Sequence, residues 1–129
     1  MSDQPPTAQE VAERIQDALS AADLTEFAEL LDPDVRWGAP DDPAPACRNR
    51  KQVLQWYRRA RDAGVRGTVT ELVVTGNRIL VGMDVSGRTP AEEGGATTQR
   101  WQVLDVHNGR VTEIVGYDDR AEAAARARL

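Results

Sequence analysis

The feature that most constrains the fold is a change in the period of the apolar residues about halfway along the chain. Up to Gly64 the apolar residues recur every three or four positions, which is the spacing of one helix face. From Thr68 onward they mostly alternate with polar residues, as in strands that bury one face. Helical segments followed by a run of strands predict an α+β fold, with the helices packed on one face of an antiparallel sheet.

Three polar start signals divide the first half into helices. A Ser, Thr, Asp or Asn followed three residues later by Glu or Gln is typical of a helix N-terminus. The signals here are Thr7-Ala-Gln-Glu10, Asp23-Leu-Thr-Glu26 and Asn49-Arg-Lys-Gln52. They predict a first helix to about Ala22, a short second helix that carries Phe27, Leu30 and Leu31, and a third helix over 50–62 that ends at Gly64.

Turn residues then divide the rest of the chain into strands. Asp32-Pro33-Asp34 is expected to end the second helix and to precede a short strand over 35–37, and a Pro-rich loop follows over 39–48. Four further strands are predicted over 68–75, 78–86, 97–106 and 111–117. Gly76-Asn77 and Asn108-Gly109 provide tight turns between them, and 87–96 forms a polar loop. Asp119 is placed to cap a last helix or frayed tail.

Length and composition indicate one ordinary folded domain. The 129 residues suffice for a single core, with 40% hydrophobic and 29% charged residues. We expect a disordered tail over 1–6, one domain over 7–122, and a helix end or frayed tail over 123–129. No apolar run approaches the length of about 20 residues that a membrane-spanning helix needs, so no membrane association is expected.

The charge and the few Cys and His residues limit the partners. A net charge of -5 argues against nucleic acid or an anionic membrane, because phosphate binding favours a basic face. Cys47 is the sole cysteine, so no intrachain disulfide is possible, and a cytoplasmic location is expected. Cys47 and the sole histidine, His107, lie in separate loops, so neither a metal site nor a cofactor is predicted.

Three segments give the chain a resemblance to a known family. They are the runs 27–37 (FAELLDPDVRW), 47–57 (CRNRKQVLQWY) and 108–119 (NGRVTEIVGYDD). In this order and spacing the chain resembles the nuclear transport factor 2-like superfamily, in its SnoaL-like branch. The resemblance implies a cone-like, cystatin-like α+β barrel, in which a curved sheet wraps around three N-terminal helices. It also implies a concave pocket for a small, largely apolar organic molecule.

The superfamily includes isomerases, epoxide hydrolases, dehydratases, polyketide cyclases and non-catalytic binders, so its fold does not decide the chemistry. Ketosteroid-isomerase-like members have a carboxylate base, a phenol and a further acid at the positions that match Ala39, Ala18 and Gln102. Epoxide-hydrolase-like members have Arg, Asp and Asp at the positions that match Met83, Val85 and Gly116. Alanine cannot act as a base, so the familiar acid and base groups are expected to be replaced.

Strand alternation gives the candidate site. If Arg100 and Gln102 face inward, so do Leu104, Ile114 and Gly116, whereas a slip of one residue would turn Asp84 inward and favour a hydrolase. The weak catalytic candidates are Asp118, Arg100 and Asp84. The predicted pocket residues are Trp37, Trp56, Tyr57, Met83, Val85, Arg100, Gln102, Ile114, Gly116 and Asp118.

Three functions stay open at this point. The first is a small-molecule-binding domain, and the second is an enzyme of the isomerase, cyclase, dehydratase or epoxide hydrolase type. The third is a homodimeric protein-interaction module. Trp101, Val103 and Tyr117 are expected to lie on the outer face of the sheet, where an exposed tryptophan beside other apolar residues indicates a dimer interface.

Overall fold

A computed structural model describes residues 6–21, 23–38, 47–86 and 98–128. It contains one five-stranded sheet in the order β1-β5-β4-β3-β2, with helices on both faces, and the predicted α+β class is confirmed. The elements are α1 (Ala8–Ser20), α2 (Leu24–Glu29), β1 (Leu31–Gly38), α3 (Arg50–Asp62), β2 (Arg66–Thr75), β3 (Arg78–Ser86), β4 (Thr98–His107), β5 (Arg110–Tyr117) and α4 (Arg120–Ala127).

The first three helices begin at the predicted capping residues. The Thr7 hydroxyl accepts a hydrogen bond from the backbone N–H of Glu10, and the Asp23 carboxylate accepts two from the start of α2. Asn49 accepts one from the N–H of Gln52 at 2.9 Å. Each cap satisfies a backbone donor that has no partner inside its helix, which fixes where the helix starts. Gly64, with φ +87°, follows the end of α3.

The first strand is longer than predicted. Leu31 was expected in the second helix, but α2 ends at Glu29 and β1 begins at Leu31, so Pro33 lies inside a strand. A proline is tolerated there because β1 is an edge strand, and its parallel pairing with β5 is irregular between Leu31 and Arg36. Residues 1–5 of the tail predicted over 1–6, residues 39–46 of the Pro-rich loop and the whole loop over 87–96 lie outside the described residues.

The sheet has two differently covered faces. We call the side packed by α1, α2 and α3 the inner face, and the side packed by α4 the outer face. Side chains alternate between them, because successive residues of a strand point to opposite sides. The inner cluster joins the three helices to strand residues that include Ile79, Val81, Leu104 and Ile114. The outer cluster is Leu80, Val103, Val115, Tyr117, Ala123 and Ala127.

The helix α4 changes the expected outer surface. Val103 and Tyr117 were predicted to be exposed for a dimer, but α4 leaves them only 0% and 9% exposed. Trp101 does lie on the outer side, but it is half-buried against the same cluster. An Ala-rich helix packs closely on a sheet because its side chains are small, which explains the burial. No helix in the described parts of the chain is long and apolar enough to cross a membrane.

Ion pairs hold α4 at both ends. Near its start, Arg120 donates to both carboxylate oxygens of Glu71 on β2, at 2.8 and 2.6 Å. These hydrogen bonds hold the pKa of the Glu71 carboxyl below its ordinary value, and the Trp101 side chain acts in the same direction. Near its end, Arg126 donates to Glu113 on β5 at 2.6 Å. The outer face is therefore covered by the chain itself.

Candidate functional site

The inner face carries two polar side chains on β4. Arg100 pairs with Met83 of β3, and Gln102 lies between Val81 of β3 and Gly116 of β5. Met83 and Val81 belong to the inner cluster, so the predicted inward direction of Arg100 and Gln102 agrees with the pairing. Gln102 is only 8% exposed, which is unusual for a polar side chain and calls for a polar partner.

Three aromatic side chains, which we call the aromatic cluster, lie beside these residues. Trp37 is near the end of β1, and Trp56 and Tyr57 are on α3. The ring centroids of Trp37 and Tyr57 are 5.2 Å apart with nearly parallel planes, and Trp56 packs edge-on against both at 4.5 and 5.5 Å. Trp56 is 47% exposed, so the cluster extends from the core to the surface.

The aromatic cluster packs over Gly116 of β5. A Cβ atom at this position would lie 3.8 Å from Nε1 of Trp37, so the indole edge sits over the glycine. Trp37 and Cys47 also exchange two backbone hydrogen bonds of 3.0 Å, which fix the end of β1 against the start of the α3 segment. A Cβ atom at 3.8 Å from the indole would make an ordinary contact, so the packing of Trp37 does not itself require glycine at 116.

The hydroxyl of Tyr57 is buried without a hydrogen-bond partner of ordinary geometry among the described residues. Burial raises its pKa to about 12, against the opposing effect of a hydrogen bond with the Gln102 side chain, and the charge of Cys47 acts in the same direction as burial. The pKa of the buried Cys47 thiol is also raised by burial. Both groups are therefore protonated at neutral pH, and the phenol is available as a hydrogen-bond donor.

Arg100 and Asp118 form an ion pair between Nη1 and Oδ1. The Asp118 side chain is 82% exposed, so this acid lies at the edge of the site. The Nε of Arg100 is buried and has no hydrogen-bond partner among the described residues. The pair thus joins a solvent-facing carboxylate to a guanidinium that reaches inward.

Asp84 does not join this group. It pairs with Gln99 across the β3–β4 ladder, one position away from the Met83–Arg100 pair, and therefore points to the outer side. The slipped register that would favour a hydrolase is not present. Val85 lies on the same side of β3 as Met83, and Ile114 is fully buried in the inner cluster.

The interaction of Tyr57 with Gln102, and the electrostatic effect of Cys47 on it, are the part of the site that the sequence did not reveal. The three residues come from α3, β4 and the segment before α3. Their meeting depends on the packing of α3 against the sheet, which leaves no local pattern in the sequence. Among the described residues, no group of three or more His, Cys, Asp or Glu side chains is placed to hold a metal ion.

An open cleft of ≈ 270 Å³ lies elsewhere, between the start of α1 and two hairpin turns. Its lining includes Thr7, Asn77 and His107, and none of the predicted site residues. Apolar surface and polar groups also meet where the aromatic cluster lies beside Arg100 and Gln102.

Solved structures with the same fold indicate the class of protein. The structure of an NTF2-like protein of unknown function from Burkholderia pseudomallei aligns over 100% of both chains, with 25% identity and a TM-score of 0.65. A protein of Sinorhizobium meliloti assigned as a polyketide cyclase aligns over 83% of this chain and 93% of its own, with 24% identity and a TM-score of 0.66. One of Kribbella flavida assigned as a ketosteroid isomerase aligns over 84% and 75%, with 23% identity and a TM-score of 0.69.

These structures share the NTF2-like fold with the chain. The family model for the SnoaL-like domain matches residues 12–114, and the chain belongs to this family. No protein with a curated description matches it significantly.

Proposed function

We propose that this protein binds a small, largely apolar organic molecule between the aromatic cluster and the inner face of β3, β4 and β5. The observation that carries the proposal is a continuous row of side chains from the surface to the core. It begins at the half-exposed Trp56, passes through Trp37 and Tyr57, and ends at the buried Gln102. Ligand sites in proteins are mostly apolar, with a few polar groups that orient the ligand. The aromatic cluster supplies the apolar wall, and Gln102 with Arg100 supplies the polar groups.

The protonation of the site favours binding over proton transfer. A general base at neutral pH needs a pKa near 7. The pKa values of Tyr57 and Cys47, two groups on the inner side, are both raised, so both groups keep their protons at neutral pH. The positions that match the phenol and the further acid of the ketosteroid-isomerase-like relatives hold Ala18 and Gln102. An isomerase or cyclase of the kind assigned to the structural neighbours would have to use Asp118 and Arg100 at the edge of the site.

The three tryptophans allow a direct test. In a ¹H–¹⁵N correlation spectrum each indole N–H gives one signal, and Trp101 on the outer face serves as an internal reference. Titration with 2-acetylnaphthalene, a small apolar aromatic ketone, is expected to shift the signals of Trp37 and Trp56 saturably and to leave that of Trp101 in place. Trp56→Ala is expected to weaken binding about tenfold, because it removes one aromatic wall.

Trp101→Phe is the matched control for that variant, since it changes an aromatic residue on the opposite face. It is expected to bind the ketone as the unchanged chain does. Equal shifts of all three indole signals, or no saturable shift in a protein with a native spectrum, would contradict the proposed site.

A further inference from the structure

The helices on the inner face, which we call the helix layer, carry opposite charges toward its two edges. The segment 8–29, with α1 and α2, contains six acidic residues and one arginine, a net charge of -5. The segment 48–62, with α3, contains six basic residues and one acid, a net charge of +5. α1 packs over β2 and β3, whereas α3 packs over β1 at the opposite edge of the sheet. The net charge of the whole chain therefore hides a strong separation of charge.

Three acids, which we call the acidic stripe, follow the outward side of α1. Glu10, Glu13 and Asp17 are spaced three and four residues apart, which places them on one side of the helix, and all three are exposed. The one arginine of the segment pairs with Glu26 instead. Like charges one turn apart weaken a helix. The stripe thus carries a cost that no ion pair among the described residues offsets.

α3 carries a matching set of cations, which we call the basic stripe. Lys51, Arg58 and Arg59 are exposed on the outward side of this helix. In the part of the chain that the structure describes, the ion pair of α3 joins Arg61 to Asp62 and leaves the stripe without an acid. Lys51 also lies in the first turn, which contains no acid and where a positive charge opposes the helix dipole. This stripe is therefore also uncompensated.

We propose that two copies of the chain associate through their helix layers, with the basic stripe of each copy against the acidic stripe of the other. Both stripes extend over about two helical turns, so they match in length. Because α2 lies between α1 and α3, a two-fold axis along the middle of the layer forms both contacts at once. The half-exposed Trp56, one turn from Arg59, adds the aromatic surface that interfaces favour. This inference does not depend on the proposed function.

The acidic stripe decides between a second copy and an anionic membrane as the partner. A membrane surface would attract α3 but would repel α1 in the same layer, and it would repel a chain with a net charge of -5. A second copy presents an acid where α3 needs one and a cation where α1 needs one. It is therefore the partner that complements both stripes.

The first test is the salt dependence of self-association. Sedimentation velocity of the full chain at about 100 μM is compared in about 20 mM and about 500 mM NaCl. We expect a larger fraction of dimer at low salt, because salt screens charges that lie at the surface. A chain that is monomeric at both salt concentrations would overturn the proposal.

Charge reversal then identifies the two stripes. Arg58→Glu with Arg59→Glu makes the outward side of α3 acidic, and Glu13→Arg with Asp17→Arg makes that of α1 basic. Each double variant alone is expected to weaken self-association at low salt about tenfold or more. An equal mixture of the two is expected to form the dimer again, because opposite charges then meet at both contacts. A purely structural role of these residues would not restore association in the mixture.

Arg110→Glu with Arg128→Glu is the matched control, since it changes the net charge as the α3 variant does at exposed positions outside the helix layer. It is expected to keep the dimer. If it loses the dimer equally, or if the mixture of folded variants stays monomeric, the paired stripes are wrong. If the full chain shows no dimer but binds vesicles of phosphatidylcholine and phosphatidylserine, α3 faces a membrane and the proposal is also wrong. Should one double variant not fold by circular dichroism, the salt dependence and the other variant still decide.

Discussion

Because of Tyr57, the stability of the protein is expected to fall as the pH rises through the alkaline range. In the unfolded chain a tyrosine ionises near pH 10, but burial raises the pKa of Tyr57 in the folded protein to about 12. Between these values the folded chain holds one more proton than the unfolded chain, so stability falls as the pH rises. We expect a loss of roughly 2 kcal/mol between pH 10 and 12 from this residue alone.

The matched measurement uses Tyr57→Phe. Urea unfolding of both proteins across this pH range isolates the contribution of Tyr57, since every other titrating group is shared. The variant is expected to show the shallower decline with pH, and at pH 7 to be at least as stable as the unchanged chain, because the deleted hydroxyl has no partner of ordinary geometry among the described residues. Parallel declines would show that the phenol is not buried.

Gly82 is a second residue whose identity the packing determines. A Cβ atom there would lie 3.1 Å from both the Glu71 Cβ and the Trp101 Nε1. These contacts are tight, and the strand and indole cannot both move away easily. Gly82→Ala is therefore expected to lower the free energy of unfolding by about 1–3 kcal/mol.

Gly67→Ala is the matched control on the neighbouring strand. Its Cβ atom would meet only the Met83 Sδ, at 3.9 Å, which is an ordinary contact. Chemical denaturation is expected to show little change in this variant. If the two alanine variants were equally stable, the indole of Trp101 would not be held over Gly82.

At the scale of elements, the two adjacent acids before α4 have separate roles. The Asp119 carboxylate accepts a hydrogen bond from the N–H of Ala121 at 3.0 Å and caps the helix, whereas Asp118 pairs with Arg100 and is mostly exposed. Loss of a cap costs about 1 kcal/mol, and loss of an exposed ion pair costs less. Thermal unfolding is expected to show a larger decrease for Asp119→Ala than for Asp118→Ala. The reverse order would place the structural acid at 118.

The helices and strands differ in how far the sequence predicts them. Helix starts at Thr7, Asp23 and Asn49 depend on contacts within one turn, so the local pattern suffices. The bounds of β1 depend on its pairing with β5, about 80 residues away, which no local pattern shows. This is why Pro33 is predicted as a breaker but lies inside an edge strand.

The same distinction applies to the candidate site. Alternation along β4 was enough to place Arg100 and Gln102 on one side of the sheet. The sequence places both Gln102 and Tyr57 in the predicted pocket. It does not predict that they interact, because that depends on where α3 packs on the sheet. The docking of α4 was missed for another reason, since an Ala-rich segment of low amphipathicity gives little sign of a buried face.

For the whole molecule, α4 decides which surfaces are open to a partner. The inner face is covered by α1, α2 and α3 and holds the candidate site, while α4 covers Val103 and Tyr117 on the outer face. A homodimer through these two residues would require α4 to leave the sheet. The ion pairs of Arg120 with Glu71 and of Arg126 with Glu113 oppose that movement.

Removal of α4 should therefore expose a self-associating surface. A chain that ends after Asp118 would uncover Leu80, Val103, Val115 and Tyr117, which form one apolar patch. Exposed patches of this kind drive association in water. In sedimentation velocity at tens of micromolar, we expect the truncated chain to form dimers or larger species to a greater extent than the full chain.

A chain that ends after Ala127 is the control, because it keeps the whole helix and both ion pairs. It should sediment as the full chain does. If the chain that ends after Asp118 also matched the full chain while remaining folded, the outer face would not be an association surface, and α4 would be covering it without any effect on assembly. If instead all three formed the same dimer, its interface would have to lie outside the patch under α4, because that patch is closed in two of them.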